Sequence, residues 1–404
     1  MLYTYEAFDK NGTLTKGEVD AIGEKEAILY LEQKELIPVK VRAQDTSKKK
    51  GISFSLFGGH ITPTDRIFLV RNLATALKAG LTITEAIEIL VQDTKKESLK
   101  NILLEAKVNL QNGQPLSQTF ASYPELFPPV FIGLIKAGES ASQLDKTLEE
   151  LAHHLMKEYA LVKKVKSAMV YPFILLMASV GVVAFLLIFV LPRLEKTFAT
   201  SGAELPGITV AIIGASRALT YSISLDIVIF LAFVGMILYV RKTAGGRRFS
   251  ELLLMKTPVV KGLIQKVALV RFTRTLGSLL SGAVPILESL RIASDSSGNE
   301  AYKKAILQSA EQVRSGIPFS KTFAEHPNLF PPLLTSLLTV GERTGTLEYV
   351  LKTFSDFYDE EVDNKLKDVT TLFEPVLLLV MGLIVGTIAI SVLLPIYQLV
   401  GEFT

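Results

Sequence analysis

Two windows of this chain run without any charge, from Lys166 to Arg193 and from Glu374 to Glu402. Each exceeds the roughly 20 residues that a helix needs to cross ~30 Å of hydrocarbon. Transmembrane helices are therefore expected over residues 171–192 and 374–400. A third apolar run, residues 221–240, carries Asp226 near one end and is expected to be a further span. Ahead of each strong span the pattern turns helical. Leu144, Leu148, Leu151, Leu155, Val162 and Val165 form one apolar stripe, echoed by Leu347, Leu351, Phe354 and Leu366. Stripes at this spacing predict long stem helices, the first from near Ser142, running straight into the apolar windows. Pro172 and Pro375 fall inside these helices. Each removes a backbone hydrogen bond, so both are candidate kinks at the membrane boundary.

Upstream of the stems, residues 64–170 and 267–373 also read as helical. Thr64-Asp65 can cap a first helix, Asn112-Gly113 stops another, and Pro115 starts a short one. Residues 1–44 have a different period. Tyr3, Tyr5 and Ala7 alternate with polar neighbours, Asp9-Lys10-Asn11-Gly12 signals a hairpin, and Thr13–Asp20 is the return strand. Gly23–Lys34 reads as a helix and Ile37–Val41 as a third strand, which makes a small α+β unit. Residues 45–63, with Lys48-Lys49-Lys50, read as a linker. The expected class is a mainly all-α membrane protein with two homologous helical bundles of about six helices each, three transmembrane helices, and the small N-terminal α+β unit.

The two halves repeat at one spacing. Phe127-Pro128-Pro129 recurs as Phe330-Pro331-Pro332, Gly138-Glu139 as Gly341-Glu342, and Gly113-x-Pro115 as Gly316-x-Pro318. From Arg71/Arg274 to Leu191/Leu394 every pair is 203 residues apart. The repeated unit is a polar domain plus its apolar anchor.

Charge then sets direction. Lys157, Lys163, Lys164 and Lys166 precede the first span, Arg241, Lys242, Arg247, Arg248 and Lys256 follow the second, and Lys365 and Lys367 precede the third. Basic residues mark the cytoplasmic side. Both helical domains and the connector 241–266 are then cytoplasmic, while the loop 193–220 and the tail 401–404 are periplasmic. The middle span returns the chain so that the second copy crosses in the same direction as the first. The stems also carry opposite charge. Residues 157–166 are net basic and residues 360–369 net acidic, so either the stems, within one chain or between neighbouring copies, lie close with Lys157 at the level of Glu360, or the basic stem faces anionic headgroups.

Composition excludes several activities. The net charge of +3 argues against a nucleic-acid binder, and the absence of cysteine excludes disulfides and thiolate chemistry. No P-loop, zinc motif or nucleophile elbow is present. No enzyme activity and no cofactor are expected; a metal between acidic side chains stays open. The strong spans lack ionisable residues, which argues against the alternative of a transporter or channel. The conspicuous polar residues are structural or partner-contact candidates: Arg71, Gly138, Glu139, Arg274, Gly341 and Glu342. Glu139 and Glu342 can serve as helix caps, as ion-pair partners of Arg71 and Arg274, or as contacts to a partner.

Arg71-Asn-Leu-Ala-Thr-Ala-Leu, Arg274-Thr-Leu-Gly-Ser-Leu-Leu, Val284-Pro-Ile, the Gly-Glu pairs, Tyr171-Pro172, Glu204-Leu-Pro206 and Leu394-Pro-Ile-Tyr397 together resemble the type II secretion protein F and type IV pilus assembly PilC family. The resemblance covers essentially the whole chain. It implies a non-enzymatic platform in the bacterial inner membrane, likewise with the N-terminus cytoplasmic and the C-terminus periplasmic. The implied partners are a cytoplasmic assembly or secretion ATPase, pilins or pseudopilins, other inner-membrane assembly proteins, membrane lipid and further copies of the chain. Pilus and secretion machines fit alike. The family's Gly-Glu-x-x-Gly is intact at Gly341–Gly345, whereas the first copy ends it with Ser142. Likewise Ala79-Gly80 becomes Gly282-Ala283, so left-handed turns are less favoured at Ser142 and Ala283.

Overall fold

The computed structural model describes residues 2–8, 14–20, 30, 37–43, 61–193, 196, 207–220, 235–236, 243, 246 and 258–402. The chain divides into two compact units, Met1–His60 and Ile61–Thr404.

The first unit contains a sheet of β1 (Leu2–Phe8), β2 (Leu14–Asp20) and β3 (Ile37–Ala43) in the order β2-β1-β3. Both pairings are antiparallel, with Tyr3 opposite Val19 on one side and Ala43 on the other. The β1–β3 register shifts between Glu6 and Ala7. Nearly all of the helix expected over Gly23–Lys34, most of the linker and nearly all of the span expected at 221–240 lie outside the described residues.

The second unit holds the repeats. The first copy comprises α1 (Pro63–Lys78), α2 (Ile83–Asp93), α3 (Glu97–Gln111), α4 (Leu116–Ala121), α5 (Pro129–Ser140) and α6 (Leu144–Phe185). A π-helical turn, Leu186–Val190, continues α6. Helix α7 (Gly207–Thr220) follows. The second copy comprises α8 (Pro258–Ser281), α9 (Ile286–Ser296), α10 (Glu300–Arg314), α11 (Phe319–Ala324), α12 (Pro332–Thr344) and α13 (Leu347–Glu402). The helices fall in the same order in both copies.

The local chemistry explains the boundaries. Helix α1 is capped by Thr62 rather than by Thr64-Asp65. The Thr62 hydroxyl accepts from the Asp65 amide at 3.3 Å, and the Asp65 carboxylate accepts from the Thr62 amide at 2.6 Å. A capping box needs its acid three residues after the cap, and only Thr62 has one there. Helices α1, α5, α8 and α12 end in matching turns. Ser142 (φ 52°) and Ala283 (φ 58°) are left-handed, like their counterparts Gly345 (φ 71°) and Gly80 (φ 90°). The amide of Gln143 donates to the Gly138 carbonyl at 2.9 Å, as that of Thr346 does to Gly341. Two backbone hydrogen bonds per turn therefore hold the conformation even without glycine.

Each bundle closes on aromatic residues. Phe120, Phe127 and Phe131 meet in the first, with ring centroids 4.6–5.1 Å apart. Phe272, Phe323 and Phe330 meet in the second, with Tyr302 edge-on to Phe330. All are fully buried.

Helices α6 and α13 each run unbroken from their bundle through Pro172 and Pro375. The helices covering Leu144–Arg193 and Leu347–Leu393 are both long and apolar enough to cross a membrane. The stems lie side by side. Lys157 pairs with Asp356 at 3.0 Å and Lys164 with Asp363 at 2.7 Å. Both pairs have the same separation along the sequence, so the stems run parallel. The partner of Lys157 is Asp356 and not Glu360, a stagger of one helical turn. The seam of Leu161, Val362 and Leu366 with Leu263 and Val270 of α8 holds the stems together, and the ion pairs fix this stagger. Two segments expected to be irregular are partly helical. Helix α8 begins inside the expected connector. Helix α7 lies in the expected loop, because its Ile213 packs with Leu191 and Ile388 while the Thr209 hydroxyl donates to the Ser391 carbonyl at 2.8 Å.

A non-glycine residue at positive φ is strained by about 1–2 kcal/mol, and glycine's extra unfolded-state freedom offsets about half of that. Ser142→Gly and Ala283→Gly should each raise stability by about 0.5–1 kcal/mol, measured by thermal unfolding of the purified protein. Unchanged or lower stability would show the turns to be unstrained.

Candidate functional site: the joint between the repeats

The two Gly-Glu pairs have matching roles. Glu139 reaches across from α5 to the start of α4, where its carboxylate accepts from the Leu116 and Ser117 amides and, at 2.5 Å, from the Ser117 hydroxyl. Glu342 does the same for α11, accepting from the Phe319 amide at 2.6 Å and from the Ser320 amide and hydroxyl at 3.0 and 2.7 Å. Burial pushes the Glu342 carboxyl up, but the bonds from Ser320 and Phe319 outweigh it and hold it below the usual range. Gly138 and Gly341 lie under the first turn of each stem. A Cβ on Gly138 would collide with the Thr147 side chain, and one on Gly341 would come within 3.1 Å of the Leu347 Cα. Each pair thus joins a short helix to the foot of a stem.

The two arginines differ. Arg71 is exposed and borders a groove between α1 and α6. Arg274 is buried, and its guanidinium lies 3.0 Å from Asp359 as an ion contact rather than a directed hydrogen bond. Neither of these contacts involves Glu139 or Glu342. One turn away Arg271 pairs with Glu158 at 2.8 Å. The Glu150 carboxylate accepts from the Ser278 hydroxyl at 2.8 Å. His154 is fully buried beside Arg274; burial first, then the charges of Arg274 and His153, push its pKa down to about 3. Burial raises the Glu158 carboxyl, opposed by Arg271 and Arg274.

These groups form the joint where α6 of the first copy seats between α8 and α13 of the second. Sequence inspection finds Arg274 through its repeat. It misses Glu158, His154, Arg271 and Asp359, although the repeat carried a signal for three of them: His154, Arg271 and Asp359 match Phe357, Phe68 and Met156, whereas Glu158 matches Glu361. A charge that replaces an apolar residue in one copy only marks a surface that one copy alone buries. Among the described residues no group of three or more His, Asp or Glu is arranged to hold a metal. Pro172 is buried and Pro375 exposed.

A duplicated helical bundle, each copy continuing into an apolar helix of membrane length, defines a tandem-repeat membrane protein. Residues 69–192 and 272–395 each match the family described as type II secretion system (T2SS), protein F, and residues 1–42 match its N-terminal domain. The chain belongs to this family. It is 31% identical to a type IV pilus assembly protein PilC of Thermus thermophilus over 407 residues, covering 100% of this chain and 99% of the relative. It is 34% identical to PilC of Myxococcus xanthus, covering 99% and 95%. Type II secretion system protein F of Vibrio cholerae is 29% identical, with 98% of both chains covered.

Two predictions follow from the joint. Asp359→Ala should destabilise the protein by roughly 3 kcal/mol, because Arg274 would be left buried and unpaired. The double variant Arg274→Met/Asp359→Leu should recover most of that loss; equal losses in both would show the charges to be unimportant. The second concerns His154. Its pKa is depressed in the folded state, so stability is full above the unfolded value of about 6.5 and falls as pH drops toward 3. Between about pH 7.5 and about pH 5.5 the wild type should lose about 1.4 kcal/mol more than His154→Leu. Parallel losses in chemical denaturation would refute this.

Proposed function

We propose that the protein is an inner-membrane platform of a type IV pilus or type II secretion machine, coupling a cytoplasmic ATPase to the polymerisation of pilins or pseudopilins. The observation that carries this reading is mechanical. Each bundle is continuous with an apolar helix of membrane length, and the joint ties both stems together. A displacement of either bundle then reaches the bilayer without a flexible linker. In this reading the energy comes from the ATPase partner.

In this reading the chain crosses the membrane three times, at 171–192, 221–240 and 374–400, with the small α+β unit and both bundles in the cytoplasm and the C-terminus outside. The family names of the relatives and the loop charges support it. Glu139 and Glu342 act as internal caps that transmit load between short helix and stem. Pro172 and Pro375 allow the stems to bend at the lipid boundary.

The test uses the full-length chain in its native membrane. Reporter fusions after residue 206 and at the C-terminus should register outside, and one after residue 250 inside. Photo-crosslinkers on the bundles should capture the cytoplasmic ATPase. Deleting the gene should abolish pilus assembly or secretion while leaving the ATPase's basal hydrolysis intact. An externally placed bundle, or no capture from any bundle surface, would overturn the proposal.

A further inference from the structure

The joint within the chain has two sides. On one side are α5 and the outer face of α6 from the first copy. Leu134 packs on Gly282, Gly133 faces Ile292 and Leu279, Lys136 lies 3.8 Å from Glu288, and α6 contributes Glu150, Lys157 and Glu158. On the other side are α8, α9 and α13 of the second copy. The one-offset repeat gives each side a counterpart. The second copy carries the donor face again, on α12 and α13. The first copy carries the acceptor face again, on α1, α2 and α6.

Neither counterpart is covered within the chain. Ile292 is packed against the first copy's core, whereas its counterpart Ile89 is 52% exposed. His154 is 5% exposed, and its counterpart Phe357 49%. Leu333 and Val340, on the face of α12 that corresponds to α5, are also exposed. The cavities agree. Where α6 fills the groove beside Arg274 and Ser278, only about 20 Å³ remains. The matching groove beside Arg71 and Lys78 is open, at about 430 Å³. A second groove of about 550 Å³, lined by Lys321, Thr339 and Arg343, opens on the α12 side. Arg71 lines the acceptor groove and Glu360 lies on the α13 face that would meet it, while Lys321 and Arg343 line the α12 groove; Lys78, Glu85, Glu88 and Asp356 are bonded within the chain to Glu149, Thr82, Lys107 and Lys157.

We propose that the α12–α13 face of one chain docks on the α1–α2–α6 face of a second copy, repeating between chains the joint that links the repeats within one. The occupant is another copy because Arg71, Ala74, Thr75 and Lys78 line the open groove at the positions where Arg274, Gly277, Ser278 and Ser281 line the groove that this same sequence already fills. Parallel stems keep successive copies at one height in one membrane. The contact is head to tail, so copies add in one rotational sense and close into a ring when the rotation divides a full turn. This holds whichever machine the protein serves and does not need the ATPase.

The chain has no cysteine, which allows a clean test. Glu85 and Thr339 are the counterparts of the intrachain pair Glu288 and Lys136. Glu85→Cys and Thr339→Cys are placed in separately tagged full-length copies, co-expressed, and treated in membranes with a short bismaleimide. We expect a covalent heterodimer, at least ~10-fold above a control pairing Thr339→Cys with Glu300→Cys on α10. Ile89→Glu in the acceptor copy should reduce the product about tenfold with the melting temperature unchanged. A Lys136→Cys/Glu288→Cys chain, crosslinking internally, shows that the fold and reagent are sound. If that control succeeds and no heterodimer forms, the proposal is wrong. It is equally wrong if oligomers form without the Glu85/Thr339 product, or if added ATPase alone shields the Glu85→Cys thiol.

Discussion

The structure depends on buried charge that cannot be left unpaired. Arg274 and Asp359 lie almost wholly out of solvent where three helices meet, with Arg271 and Glu158 one turn along. Removing two ions from water costs several kcal/mol each, so such pairs add little net stability while forbidding any arrangement that separates them. The apolar seam of Leu161, Val270, Val362 and Leu366 supplies the attraction between the stems. It could do so at several staggers, because aliphatic contacts are tolerant of sliding. The ion pairs select one. Strength and register thus come from different residues on the same faces.

Duplication then produces asymmetry without any change of fold. Both copies share caps, turns and aromatic cores. Their outer faces have diverged: Phe68 against Arg271, Met156 against Asp359, His154 against Phe357. A tandem repeat of two units has one internal joint and two free ends, so identical faces meet different surroundings. The copy that is covered can hold charge in a buried network, and the copy that is not keeps apolar side chains at its surface. Isolated exposed apolar residues need no explanation. Ile89 and Phe357 do, because they match Ile292 and His154, which the joint covers.

The helices, their order and the stems were legible because their signals are local: a capping threonine, a Gly-x-Pro, a stripe of leucines. The repeat added evidence that one copy alone would not give. What was illegible depended on distance through space. Glu139 caps a helix 22–23 residues back, and nothing in its neighbourhood points there. Arg274 lies against Asp359 because α8 and α13 cross at that point, a matter of packing rather than of spacing. Opposite charge on the stems announced their attraction, but net charge is blind to a stagger of one turn. Among the described residues glycine marked the left-handed turns at Gly80, Gly113, Gly298, Gly316 and Gly345 but not those at Ser142 and Ala283, which two hydrogen bonds carry into that conformation.

The apolar ends obey a different constraint. In hydrocarbon a polar group without a partner costs several kcal/mol, and a helix satisfies only its own backbone. Thr387 and Ser391 bond back to carbonyls of their own helix at 2.7 Å, and the Ser391 carbonyl also receives the Thr209 hydroxyl. Helix α7 therefore ties α13 to the foot of the first apolar helix through Leu191 and Ile213. At that same foot the first helix widens into a π turn at Leu186–Val190, while the matching residues 389–393 stay α-helical. A π turn shifts the phase of every residue beyond it. The two repeats are thus rigidly alike where the ion pairs bind them, and they diverge at the far ends of the apolar segments.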